Sequence, residues 1–180
     1  MSSTPDSNRR PAAWTTRPEQ PGADEAAVRE VLLAAFSTSL EADLVDGLRT
    51  DPEAWLPGLS IVSTTVDGTV AGYSLLTRCH VGGAPALALG PCAVRPEHRS
   101  RGAGAAAIRA GLDAARRAGE SLVVVLGHAE YYPRFGFDRA SLLGITATFE
   151  VPDENLMALV LDSSRPVPVG QIRYASAFGV

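Results

Sequence analysis

The sequence predicts an α/β domain, a sheet with helices on both faces. Residues 24–48 carry apolar side chains at helical spacing. Residues 59–76 switch to β-branched, partly alternating segments around Asp67-Gly68. An apolar run ending near Val94 then gives way to a glycine-opened helix and a further apolar run.

Each element follows in order. Residues 1–12 are polar, carry two prolines and have little to bury, so a disordered tail is expected there, with one domain over 13–180. Trp14–Arg17 is a candidate first strand. Val28, Val31, Leu32, Ala35 and Phe36 share one face of a helix with Asp24 as its expected N-cap. Leu40, Leu44, Val45 and Leu48 share a face of a second helix, where Thr38 and Glu41 have capping-box spacing and Asp51-Pro52 closes it. Leu59–Val66 and Thr69–Leu76 flank Asp67-Gly68, the pair that favours a type I′ hairpin turn. Gly82-Gly83 marks another turn. Ala86–Val94 reads as a buried strand that Gly90-Pro91 interrupts, because proline has no N–H for a ladder. A helix is expected over Gly102–Ala118, ended by Gly119, and then a buried strand, Leu122–Leu126. Glu130–Phe135 suits a short helix, and Ile145–Val151 with Leu156–Leu161 suits a final strand pair around Pro152-Asp153-Glu154.

The formal net charge of −4 argues against sequence-independent binding to nucleic acid, which needs a Lys/Arg surplus. Cys79 and Cys92 form no CxxC pair, so neither a disulfide framework nor a structural zinc site is expected. No apolar run nears the roughly 18 residues of a membrane span, and Arg9-Arg10 precede no apolar stretch of a secretory signal. A reduced, cytoplasmic protein without membrane contact is the expectation.

Chemistry concentrates in Ala93-Val94-Arg95-Pro96-Glu97-His98-Arg99-Ser100-Arg101-Gly102-Ala103-Gly104. A strand ends, an arginine-rich loop follows, and a helix opens on Gly-x-Gly. The first turn of a helix has N–H groups without intrahelical partners and a dipole end that favours anions. Glycines allow close approach of a phosphate, and Arg99 and Arg101 can add charge-assisted bonds. The spacing is not that of a dinucleotide fold, since Ala107 stands at the third glycine position, and no P-loop GKS or GKT occurs.

Arg99-x-x-Gly102-x-Gly104 resembles the R/Q-x-x-G-x-G/A signature of the GNAT N-acetyltransferase superfamily. Ala93-Val94-x-Pro96 before it and Tyr132-x-x-x-Gly136-Phe137 after the next strand resemble that family too. The stretch Leu126–Phe137 and the tail from Pro152 are similar to a bacterial subgroup, the YhbS-like proteins. The resemblance covers roughly Trp14 to Phe178. It implies a mixed central sheet splayed between its fourth and fifth strands, and acetyl-CoA as co-substrate. Pantetheine would lie in the splay against main-chain groups of Cys92, Ala93 and Val94. Pyrophosphate would lie on the loop of Arg99, Ser100, Arg101, Gly102, Ala103, Gly104 and Ala105. It implies Tyr132 as the general acid to the departing thiolate, and Val94 N–H as the group polarising the carbonyl. No metal is implied. The partner is an amine acceptor on a small molecule or peptide; a homodimer, a protein acceptor and a non-catalytic acyl-CoA-binding domain stay open.

A lysine-like amine of pKa ~10.4 is almost wholly protonated at pH 7, which adds roughly 4.6 kcal/mol to the barrier, so a base or water relay helps. Candidates are Glu41, Asp43, Asp46, Glu53, His80, His128 and Glu130, and nothing in the sequence selects among them. Tyr131 is the obvious rival to Tyr132. Cys92 is by default a small buried hydrophobe.

Overall fold

In a computed structural model, residues 14–180 are described, and the expected tail at 1–12 lies outside them. The elements are β1 (Thr15–Pro18), α1 (Glu25–Ala35), α2 (Leu40–Arg49), β2 (Trp55–Thr64), β3 (Val70–Val81), β4 (Ala84–Val94), α3 (Ala103–Arg117), β5 (Leu122–Leu126), β6 (Asp138–Arg139), β7 (Ile145–Thr146), β8 (Leu156–Val160) and β9 (Gly170–Arg173). The sheet runs β1-β2-β3-β4-β5-β8-β6, with β9 paired to the far end of β3 and to β7. Along that run β4–β5 is the parallel pair and the other neighbours are antiparallel.

Strand alternation sends neighbouring residues of β3 to opposite faces. Tyr73 and Leu75 meet Val28, Val31 and Leu32 of α1 and Val45 and Leu48 of α2. Leu76 meets Ile108, Leu112 and Ala115 of α3 together with Val123 and Val125 of β5. The helices therefore cover both faces, as the sequence predicts.

Local chemistry refines several expectations. Asp24 is the N-cap residue of α1, as expected, but its side chain makes no cap bond. It accepts from Arg17 Nη1 (2.5 Å), Arg17 Nη2 (3.0 Å) and Gln20 N–H (2.7 Å), tying β1 to the start of α1. The Arg17 guanidinium holds the Asp24 carboxyl below the usual carboxylate range. A depressed pKa contributes stability above the unfolded value near ~3.9, and that contribution is lost as pH falls through the lower folded value. Asp24 is only 6% exposed. Asp24→Ala should therefore cost about 2 kcal/mol in urea unfolding at pH 7, with the difference from wild type shrinking toward pH 3. A constant difference across that range would assign the loss to packing.

Neither Thr38 nor Glu41 forms a capping box. Ser39 is the N-cap, its hydroxyl donates to Asp43 (2.7 Å), and the Glu41 side chain is left to point elsewhere.

The β2–β3 hairpin exists, but its loop is longer than the two residues expected. Thr65 and Thr69 close it, and Gly68 N–H donates to Thr65 O (3.0 Å). Only Gly68 of the Asp67-Gly68 pair has positive φ (86°), as a type I turn with a bulge requires. Asp67 instead accepts from Thr69 N–H and the Thr65 hydroxyl. The two-residue turn with positive φ at both positions is Gly82-Gly83 (54° and 83°), between Val81 and Ala84.

The expected terminal hairpin is absent. β8 pairs with β5 and β6, while β7 pairs in parallel with β9. Pro152-Asp153-Glu154 does turn the chain, but Leu156 and Met157 are drawn to the β5 edge, where they become buried.

Candidate active site

The site lies where β4 and β5 part. Their parallel pairing covers Leu87↔Val123, Ala88↔Val124 and Leu89↔Val125, and then ends. The sequence predicts divergence after Cys92; it begins earlier, at Gly90-Pro91, where the ladder to β3 also shifts register. Proline has no N–H to continue a ladder, so the break falls on that pair.

Beyond the break β4 stays on β3. Arg95 N–H donates to Ala71 O (2.8 Å), and the register is Ala93↔Tyr73, Val94↔Gly72 and Cys92↔Ser74. Antiparallel pairs alternate between bonded and non-bonded classes. Arg95 and Ala93 therefore turn their main chains to β3, and Cys92 and Val94 turn theirs to the side β5 has left. Ala93 is thus the one member of the expected main-chain set that faces away from the gap.

The loop after β4 curls through positive φ at Ser100 (60°) and Gly102 (89°), and Gly102 is the residue before α3. Ala106 N–H makes the first bond back to Gly102 O (2.9 Å), which leaves the amides of Ala103, Gly104 and Ala105 without intrahelical acceptors. A Cβ on Gly104 would stand 2.9 Å from Val94 Cγ2, so glycine lets the helix start lie against the end of β4 without displacing the Val94 side chain. Arg99 and Arg101 are exposed and, among the described residues, have no carboxylate partner. Arg99 instead donates to Ala35 O at 3.4 Å.

Sequence reasoning missed the residues that seat this loop. Trp14 Nε1 donates to Arg101 O (2.7 Å), and the buried Ser63 hydroxyl donates to Ala103 O (2.9 Å). Gly72 lies under the helix start, where a Cβ would overlap Ser63 Oγ. A glycine inside a strand was the available signal.

Tyr132 begins a single 3₁₀ turn, Tyr132–Phe135, where a short helix from Glu130 is expected. Its ring lies on Gly127, where a Cβ would overlap Cε2, and edge-on to Tyr131 (86° between planes). The two tyrosines diverge. Tyr132 lines the cavity at the splay together with Gly90, Pro91 and Cys92. Tyr131 Oη points to the helix start, 3.8 Å from where a Gly104 Cβ would be, and its ring carries the Arg134 guanidinium at 4.2 Å. Burial raises the Tyr132 phenol well above its ordinary value, so it stays protonated across the neutral range. Burial also pushes the Cys92 thiol up to about 11, with Ser74 Oγ 3.9 Å from its sulfur.

The cavity, about 540 Å³, passes through the opened sheet. Cys92 and Tyr132 belong to the core on the α3 face, whereas Phe36, Leu44 and Phe178 belong to the α1/α2 face. The base candidates separate accordingly. Glu41 and His128 line the cavity. Asp43 and Asp46 are held by Arg29 and Arg49, and Glu53 is exposed. His80 lies opposite Arg173 at the far end of β3, and Glu130 faces a separate surface hollow beside Tyr131. Among the described residues no cluster of His, Cys, Asp or Glu could hold a metal, and no helix is long and apolar enough to cross a membrane.

A sheet splayed beside a glycine-opened helix is matched in known proteins. The acetyltransferase (GNAT) family model matches residues 26–137. The chain belongs to the GNAT acetyltransferase family. Its GNAT relatives include the uncharacterised N-acetyltransferase YjhQ of Escherichia coli K12, 38% identical over 84% of this chain and 87% of that protein. The crystal structure of the GNAT N-acetyltransferase YhbS from E. coli, in complex with CoA, has a TM-score of 0.86 at 25% identity, covering 100% of this chain and 97% of that one. A GNAT acetyltransferase from Brucella melitensis, in complex with acetyl-CoA, has a TM-score of 0.75 at 31% identity, covering 93% and 99%. The resemblance seen in the motifs thus holds at the level of family and fold.

Proposed function

We propose that the protein transfers the acetyl group of acetyl-CoA to a primary amine of a small molecule or peptide by direct attack, with Tyr132 as general acid. One observation carries this reading: a single cavity at the splay is lined by Tyr132 and the unpaired part of β4 on one side and by Phe36, Glu41 and Phe178 on the other. The CoA complexes of the two structural relatives support acetyl-CoA as co-substrate.

The residues fit that ligand. The outward main chains of Cys92 and Val94 offer an extended amide a strand edge to bond. The amides of Ala103, Gly104 and Ala105, with Arg99 and Arg101 nearby, offer the pyrophosphate an anion cradle. Val94 N–H, turned to the gap, polarises the thioester carbonyl. The amine enters as its ammonium and releases a proton to become nucleophilic. Its lone pair forms the C–N bond and the C–S bond breaks. The thiolate takes the Tyr132 proton, the nitrogen loses its second proton to water, and the Tyr132 phenolate recovers a proton from water, so the net reaction releases one proton.

Direct attack requires that Cys92 carry no acetyl group. With its pKa near 11, roughly one thiol in ten thousand is ionised at pH 7. Cys92→Ala should keep kcat within about threefold, since the thiol takes no part in the chemistry. A loss above 100-fold, with an acetylated Cys92 trapped in the wild type, would replace direct attack by a covalent route. The reaction itself is tested by turnover of acetyl-CoA against a panel of amines, read by mass spectrometry. Tight CoA binding without acetylation of any amine would favour a binding domain.

A further inference from the structure

Among the described residues, two buried side-chain oxygens without hydrogen-bond partners belong to cavity-lining residues: Glu41 Oε2 and Tyr174 Oη. Each such atom costs about 1–3 kcal/mol, and these two belong to residues that line one cavity, so a small turn of either side chain toward a ligand there would supply the bond it lacks. Neither is explained by folding. Glu41 has no role in capping α2, where Ser39 and Asp43 bond to each other. Tyr174 follows β9 and lies between Phe149 (6.3 Å) and Phe178 (5.3 Å), its ring tilted to both. Its phenol is pushed up to about 12 by burial, which leaves it a neutral donor. Phe36 completes an aromatic wall around the same chamber.

Resting on the transferase reading above, we propose that this chamber is the acceptor site. It selects a primary amine carried on an aromatic body and lacking a carboxylate beside the amine. Glu41 receives the ammonium, the Phe149-Tyr174-Phe178 wall receives the ring, and the Tyr174 hydroxyl bonds a polar group on the acceptor. The chemistry of the lining gives the class. The Glu41 carboxylate attracts a cation and repels an anion, and aromatic faces favour both flat apolar groups and cations. Among the described residues the chamber has no arginine or lysine to accept an acceptor's own carboxylate.

The test uses the full chain with phenethylamine, butylamine and phenylalanine as acceptors. Phenethylamine should exceed each of the others at least tenfold in kcat/KM. Glu41→Gln should raise the KM for phenethylamine about 10- to 100-fold, leave the KM for acetyl-CoA unchanged, and be partly rescued by Glu41→Asp. Tyr174→Phe reports independently, raising the KM for para-hydroxyphenethylamine while leaving CoA affinity intact. If acetylation proceeds with no preference for phenethylamine, or with a KM that ignores Glu41, the acceptor assignment is overturned and the transferase reading stands. If no amine is acetylated although acetyl-CoA binds, the transferase reading falls and takes the assignment with it.

Discussion

Tyr132→Phe should lower kcat by 10²–10⁴, about 2.7–5.4 kcal/mol in the barrier, while folding and CoA affinity change little. The substitution keeps the ring that lies against Gly127 and Phe137 and removes only the hydroxyl. No hydrogen bond within the fold depends on that hydroxyl as strongly as the leaving thiolate would, because its neighbour is the weakly polar Cys92 thiol. Burial keeps the phenol protonated before reaction. It also weakens the phenol as an acid, but the same burial makes a thiolate forming beside it more basic, so the proton passes as charge develops on sulfur. The loss should therefore appear in kcat rather than in the KM for acetyl-CoA. Tyr131→Phe is the matched control. Its hydroxyl points to the helix start near Gly104, so its effect should be small on kcat and, if present, fall on CoA affinity. If Tyr132→Phe retains more than about a third of kcat with chemistry rate-limiting, the proton comes from water or another group.

Gly102→Glu should weaken CoA binding at least about 100-fold in calorimetry, because it sets a carboxylate beside the phosphate cradle, where like charges cost several kcal/mol. Two effects need separating. Gly102 has φ +89°, so any side chain there is strained, by about 1–2 kcal/mol. The space itself is open: a Cβ would come no nearer than 3.8 Å to Trp14 Nε1. Gly102→Ala imposes the same backbone strain without charge, and should reduce affinity by no more than about tenfold, a modest share of that strain reaching the bound state. The fold should survive both changes, as thermal melting can show. Equal affinities for Gly102→Glu and Gly102→Ala would move the pyrophosphate off this loop.

Much of the fold was legible because it rests on local signals. The apolar spacing of Val28, Val31 and Leu32 reports one helix, the β-branched run of residues 122–126 one buried strand, and Gly119 with its positive φ a helix end. The shape of the loop from Arg99 to Gly104 was legible for the same reason, since a glycine-opened helix start is built from consecutive residues. The failures share a cause as well. Asp24 and Glu41 sit where capping residues sit, but Arg17 and the cavity claim their carboxylates. Asp67-Gly68 and Gly82-Gly83 both mark turns, and only the register of the flanking strands shows which is type I′.

The sequence by itself determined the α/β class, the helices on both faces, the place of the glycine-opened helix and the family that these motifs resemble. Only the tertiary structure decided that Cys92 and Val94, and not Ala93, face the gap, that Leu156–Val160 leaves Ile145–Thr146 to pair with β5, and that Glu41 shares a chamber with Tyr174. Those are relations between residues far apart in the chain. They follow from which edges and apolar faces remain to be covered once each local element has formed, and periodicity along the chain carries no record of that choice.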